Sequence, residues 1–408
     1  MDISLKKPGK VYLMLLMAPF CKPVGLDAWP VADTIFLLWK LAAIVVLAVF
    51  LFPKNLSDKV RQRSIVQGVL LIFWGIYFLG CVQAGADVVS VGLSAVSCVV
   101  LLMLISYETR IGNGLRLLEA MASLFSLCIL LHILSVFAVK AGFIHFSEGP
   151  DVYLFGYDNY SAFILYPMLA IVLFYRALCC RKPDFFGWGL MFALVFAYLY
   201  TSSVTAAFAG VLMIGMMVIR QCWIGLRRIM DPKWLAVLMA VFLVLICVFS
   251  VQNLFASMLN AMDKGITLNS RTYIWEDALE LIRQKPIFGH GSFTQEQIKS
   301  YILYGTTHAH NLLLELLMRT GIVGTAAFLV FLCGFVSRHD RKRLLRSEAG
   351  ILVVGLAAQL ALSFMDFYIN NVVFYLFVGV LYGWDRFLAE KEKTHPRETG
   401  RKIPNGNN

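Results

Sequence analysis

Apolar residues in this chain come in long unbroken runs rather than in alternation. Runs able to cross a bilayer, which takes roughly 18 to 20 residues, fall near 11–26, 33–52, 65–84, 87–106, 117–142 and 160–178. Six more fall near 185–202, 204–220, 234–253, 313–336, 349–366 and 369–387. Only helices or closed barrels satisfy backbone polar groups in lipid, and the period-2 pattern of barrel strands is missing. The pattern therefore predicts an all-α polytopic membrane protein with about twelve transmembrane helices.

The polar positions between the runs set an orientation. Lys6, Lys7 and Lys10 precede the first run, Lys54, Lys59, Arg61 and Arg63 follow the second, and Arg110 and Arg116 follow the fourth. Arg176, Arg181 and Lys182 follow the sixth, Arg220, Arg227, Arg228 and Lys233 the eighth, and Arg338, Arg341, Lys342, Arg343 and Arg346 the tenth. Connections near spans are rich in Lys and Arg on the cytoplasmic side, so both termini are expected there, in a cell inner membrane. Composition agrees: 59% of the 408 residues are hydrophobic, 15% are charged, and mean hydropathy is +0.74. The net charge of +11 is then mostly this topology signal plus attraction to anionic inner-leaflet lipid. With no basic domain outside the membrane, a nucleic-acid partner is not expected. The first run has no small-residue cleavage site and reads as an anchor.

Residues 1–388 read as one membrane domain and 389–408 as a disordered basic cytoplasmic tail. The connection 254–312 is the longest, and parity places it outside, between spans 9 and 10. Within it, Ile274, Trp275, Ala278, Leu279 and Ile282 recur at helical spacing, Pro286 ends that helix, and Gly289 and Gly291 make a turn. A helix lying along the outer membrane surface fits the pattern. A second outer loop, 143–159, carries His145, Glu148, Asp151, Asp158 and Asn159.

Candidate chemistry concentrates at His308-Ala309-His310-Asn311, where the long loop meets the tenth span. Histidine can accept a proton near neutral pH, although a lone interfacial His is commonly structural. A two-His metal site lacks an evident third ligand nearby, and none of the nine cysteines has CxxC or zinc spacing. Cys21 and Cys81 lie near the outer face and suit apolar packing better than pairing. No metal or cofactor is expected. Gly321 and Gly324, further along the tenth span, allow close helix approach.

The stretch from Arg271 to Gly324 resembles the O-antigen ligase and polymerase superfamily of bacterial membrane glycosyltransferases. His310 and Asn311 stand ahead of Gly321 and Gly324 at that family's spacing, and Arg271-Thr-Tyr-Ile-Trp275 with Pro286 and Gly289-His-Gly291 resembles its preceding helix. The resemblance implies a helical fold of the GT-C type. It also implies transfer of a glycan from an undecaprenyl diphosphate carrier to an acceptor hydroxyl outside the cytoplasm, without nucleotide sugar. His310 would be the base, and Arg271 the guanidinium that grips the diphosphate, its bland alternative being a headgroup contact. One departure is Thr201-Ser202-Ser203-Val204-Thr205-Ala206, with Val204 where the family often has arginine. Arg319, Lys40 or Lys264 are candidate replacements. Glu315 stands four residues before Arg319, which also suits a plain i,i+4 pair, and Lys40 could snorkel. His308, Asn311 and Asp158 complete the candidate substrate-binding set.

The expected activity is polymerisation of lipid-linked repeat units for a surface polysaccharide. Its partners would be the lipid-linked donor, a glycan or lipid-linked acceptor, membrane lipid, a chain-length regulator and a flippase. A ligase moving finished glycan to a lipid A-core or other terminal acceptor is the alternative. A secondary transporter or flippase is the alternative from another class, against which stand few mid-span charges and no repeated half.

Overall fold

A computed structural model describes residues 8–57, 64–146, 152–179, 184–223, 265–294, 308–337 and 341–394, plus residues 225, 227, 231, 234, 237 and 241. The described residues form helices α1 (Lys10–Met17), α2 (Pro30–Ser57), α3 (Ser64–Ala84), α4 (Val88–Arg110), α5 (Gly114–Lys140), α6 (Asp158–Cys179) and α7 (Phe185–Tyr200). After these come α8 (Val204–Cys222), α9 (Gly265–Gln284), α10 (Leu312–Ser337), α11 (Arg341–Arg346), α12 (Gly350–Ser363) and α13 (Val372–Thr394). The protein is an all-α polytopic membrane protein. Eight of these helices are long and apolar enough to cross a bilayer, and Lys10–Cys21, Phe185–Tyr200 and Gly350–Ser363 are shorter apolar helices. The span expected at 234–253 lies almost wholly outside the described residues.

The first expected span, 11–26, is broken. Pro19 and Pro23 have no backbone N–H to give, so α1 stops at Met17 and gives way to short tight turns at Ala18–Cys21 and Val24–Ala28. Lys22 then pairs with both Asp27 and Asp33. At the other end, α13 runs six residues into the stretch read as tail, to Thr394. Glu390 is the reason: its carboxylate accepts from the backbone N–H of Gly114 at 2.9 Å and Leu115 at 3.3 Å, covering orphan donors of α5.

Among the eight long apolar helices, α6 and α13 are the most enclosed, with 78% of each apolar window buried, whereas α2 has 22% and faces outward. Helix α9 also departs from expectation. Ile274, Trp275, Ala278 and Leu281 bury against Ala309, Leu314 and Met318, so its apolar face is covered by the start of α10 instead of lying on lipid.

Helix α10 is interrupted at Gly321, whose φ of 60° and ψ of −167° are not helical. The break leaves two carbonyls and two N–H groups that lipid cannot satisfy. The turn after α9 supplies their partners. His290 N–H donates to Met318 O at 2.9 Å and Gly291 N–H to Arg319 O at 2.8 Å. Conversely, Ile322 N–H donates to Pro286 O at 2.8 Å and Val323 N–H to Ile287 O at 3.2 Å. Such contact needs bare backbone. A Cβ on Gly289 or Gly321 would strike backbone atoms of the other segment, and one on Gly291 would strike Gly80 of α3.

Candidate active site

The break positions a polar cluster. Asn311 caps α10, its side-chain oxygen accepting from Leu313 N–H at 3.0 Å and Leu314 N–H at 3.2 Å. Just before it the chain turns through His310, a non-glycine residue at φ 50°. Residues two apart in extended chain share a face, and the turn brings the His308 and His310 rings to 4.3 Å between centroids. Ala309 between them is held at both polar atoms: its N–H donates to Glu315 Oε2 at 2.7 Å and its carbonyl accepts from Trp275 Nε1 at 3.0 Å. Helix α9 therefore fixes the histidine turn directly.

Both rings meet Asp366, in the short connection between α12 and α13. Asp366 Oδ1 lies 3.2 Å from His308 Nε2 and 3.4 Å from His310 Nδ1, and Oδ2 accepts from the Tyr368 hydroxyl at 2.7 Å. Burial alone would raise this carboxyl's pKa, but the two histidine ring nitrogens set against it hold it well below the usual carboxylate range. The connection is anchored by Asn371, which caps α13 at Val373 N–H (3.1 Å) and donates to Phe163 O (3.1 Å). Asn311 Nδ2 ties the two turns together by donating to Phe364 O at 3.2 Å.

Beside this lies a cavity of about 370 Å³ lined by Tyr77, Tyr160, Ser292, Phe293, His308, Glu315, Arg319, Phe367, Tyr368, Ile369, Asn370 and Asn371. Arg319 pairs through Nε with Glu315 and donates from Nη1 to Ser292 Oγ at 2.9 Å. The i,i+4 pair is thus real, and it sits in the wall of the cavity. His308 lines that wall, whereas His310 reaches the group through Asp366.

The sequence candidates separate accordingly. His308, His310, Asn311, Glu315 and Arg319 come together. Arg271 lies on α9 and Asp158 opens α6. Lys40, half-buried on α2, is not among the cavity's lining residues, and Lys264 lies outside the described residues. Val204 begins α8 and is 70% exposed. Sequence reasoning missed Asp366, Tyr368, Tyr160, Tyr77 and Ser292. A carboxylate in a short connection between two apolar runs, flanked by aromatics and two asparagines, was the available signal for Asp366.

His308, His310 and Asp366 also hold three donor atoms within 4.8 Å of one another, which supplies the third ligand that a two-His metal site lacked in the sequence.

The ion pair carries a stability prediction. Arg319→Leu strands a buried carboxylate and should cost about 3–5 kcal/mol, seen as a lower melting temperature in detergent. Glu315→Leu added to it should restore part of that stability, since Ala309 N–H then loses its acceptor, without restoring function. Equal stability of the single and double variants would contradict the pairing.

Residues 188–329 match the sequence profile of a family described as O-Antigen ligase. The match covers α7, α8, α9, the histidine turn and the break in α10, and stops short of Asp366. An uncharacterized protein of Haemophilus influenzae is 35% identical over 85 residues, 19% of this chain and 21% of that protein. The chain thus spans about a fifth of that curated relative's length in the matched region. The profile match supports the chain's place in the O-antigen ligase and polymerase superfamily, whose members are glycosyltransferase-like membrane enzymes.

Proposed function

We propose that the chain polymerises oligosaccharide repeat units carried on undecaprenyl diphosphate, at the outer face of the cytoplasmic membrane. The observation that best supports this is the contact of the two histidines with Asp366 beside a buried, cavity-lining arginine. In this reading Asp366 holds the Nδ1 proton of His310 and leaves Nε2 to accept a proton. The acceptor hydroxyl gives that proton to His310 as its oxygen bonds the anomeric carbon, and the bond from that carbon to the carrier diphosphate breaks. Negative charge develops on the leaving diphosphate, where Arg319, with Arg271, supplies guanidinium donors. Tyr77, Tyr160, Phe293 and Tyr368 around the cavity offer ring faces to sugars.

Polymerase is preferred to ligase because residues 254–312 balance five basic residues against five acidic ones. A heavily phosphorylated acceptor core would be served better by a clustered positive field. The ligase reading is favoured by the description of the matched family. Deletion of the gene separates them. Loss of a polymerase leaves single repeat units on the surface or the carrier, whereas long unattached chains in the deletion strain would establish the ligase instead.

Orientation is part of the proposal. A single cysteine replacing Arg283, 73% exposed at its side chain, should label from outside intact cells, and one replacing Lys342 should label only after lysis. The reverse result would put the site on the wrong side for a lipid-linked donor.

A further inference from the structure

A second cavity, of about 490 Å³, lies against α3 next to the polar one. Its first wall is Ile76, Leu79, Gly80 and Gln83, and its second is the turn Lys285, Pro286, Ile287, Phe288 and Gly289. The α3 residues fall at i, i+3, i+4 and i+7, one face of a helix. The adjoining face of α3 belongs to the polar site: Tyr77 lines its cavity, and Cys81 Sγ accepts from Ser292 N–H at 3.3 Å. The Gly80–Gly291 backbone contact joins the two faces, a Cβ on Gly80 falling 2.7 Å from Gly291 Cα. The groove is open to a lipid chain, with Leu79 62%, Ile287 56% and Phe288 61% exposed. Its polar members are Gln83, near the C-terminal end of α3, and Lys285, the residue after α9.

We propose that this groove seats the isoprenoid chain of a diphosphate-linked lipid, with Lys285 against the phosphates at its rim. The inference rests on the functional reading above and adds the place of the tail. An apolar trough ending in a lysine has the polarity of such a lipid, an apolar chain with an anionic head. Continuity points to the same occupant. Ser292, which hydrogen-bonds Arg319, follows the groove-forming turn by three residues, and Gly289 packs on the Arg319 backbone, so the Gly289 end of the groove borders the arginine of the polar cavity. Sites for small ligands commonly combine an apolar lining with a few placed polar groups.

Binding to the purified full chain in phosphatidylglycerol nanodiscs tests this, with sugar-free undecaprenyl diphosphate and inorganic pyrophosphate as probes. Leu79→Trp fills the trough from an exposed position and should weaken undecaprenyl diphosphate at least about tenfold while leaving pyrophosphate unchanged. Lys285→Gln should weaken both probes. Equal undecaprenyl diphosphate binding by Leu79→Trp and the unaltered protein overturns the groove and leaves the polar site standing. Retention of phosphatidylglycerol in the trough against excess undecaprenyl diphosphate overturns it too, making the groove an ordinary lipid contact. Failure of the unaltered protein to bind either probe overturns the donor reading itself.

Discussion

Glycan transfer should fall by about 10² to 10⁴ when His310 is replaced by alanine, the usual cost of losing a general base. The loss should come without unfolding. His310 is a turn residue at φ 50°, and for a non-glycine residue that conformation costs about 1–3 kcal/mol. His310→Gly relieves the strain, so it should be at least as stable as the unaltered protein and equally inactive. An active glycine variant would remove His310 from the chemistry. His308 lines the cavity and shares Asp366, so His308→Ala should impair transfer through the shared carboxylate, but less than His310→Ala does.

Asp366→Asn tests the positioning role separately. It should lower kcat while leaving donor KM near its original value, because the amide keeps the shape of the turn and loses the charge that steadies the protonated ring. The carboxyl also carries a pH signature. Its pKa is depressed in the folded protein, so the stability it adds is present above the usual carboxylate range and is lost as pH falls from that range down toward the depressed folded value. Melting temperature should therefore drop less steeply below about pH 5 in Asp366→Asn than in the unaltered protein. Metal removal closes the set: a dedicated chelator should leave transfer intact if Asp366 serves the ring. Chelator-sensitive activity with equal losses for both histidines would assign the three donors to a metal ion.

How much of this was legible in the sequence depends on what each feature needs. The spans were, because lipid demands continuous apolar helix. The run at 65–84 became α3 at Ser64–Ala84, and that at 204–220 became α8 at Val204–Cys222. The break in the first span was legible too, from Pro19 and Pro23, but its apolar content masked it. Glu315 and Arg319 announced an i,i+4 pair, yet nothing local shows that Glu315 also holds Ala309 or that Ser292 reaches Arg319. Asp366 stands 56 residues beyond His310 in sequence, and only the packing of the α12–α13 connection against the histidine turn makes them neighbours. Gly289, Gly291, Gly321 and Gly324 stood out as signals. Read locally they suggested a turn and a close helix contact, whereas three of them serve one backbone exchange.

That exchange carries the largest stability prediction. Gly321→Ala should destabilise the protein by at least about 3 kcal/mol and abolish transfer, although the change adds one methyl group and no charge. Two costs combine. The first is a side chain at φ 60° and ψ −167°, a region open essentially to glycine alone, worth about 1–3 kcal/mol. The second is displacement of the turn by a Cβ that would strike the backbone of Ile287 and Phe288. Moving the turn away orphans Met318 O, Arg319 O, Ile322 N–H and Val323 N–H, each worth about 1–3 kcal/mol when buried and unpaired. Gly85 and Gly142 provide the control, since they have φ of 66° and 77° but nothing within 4 Å of an added Cβ. Gly85→Ala and Gly142→Ala should cost the conformational strain alone and keep full activity. The loss in Gly321→Ala should also appear at Ser292 and Arg319, which the same turn holds in register, so pyrophosphate binding should weaken along with melting temperature. If Gly321→Ala behaved like Gly85→Ala in both measurements, the turn would not be what completes the broken helix.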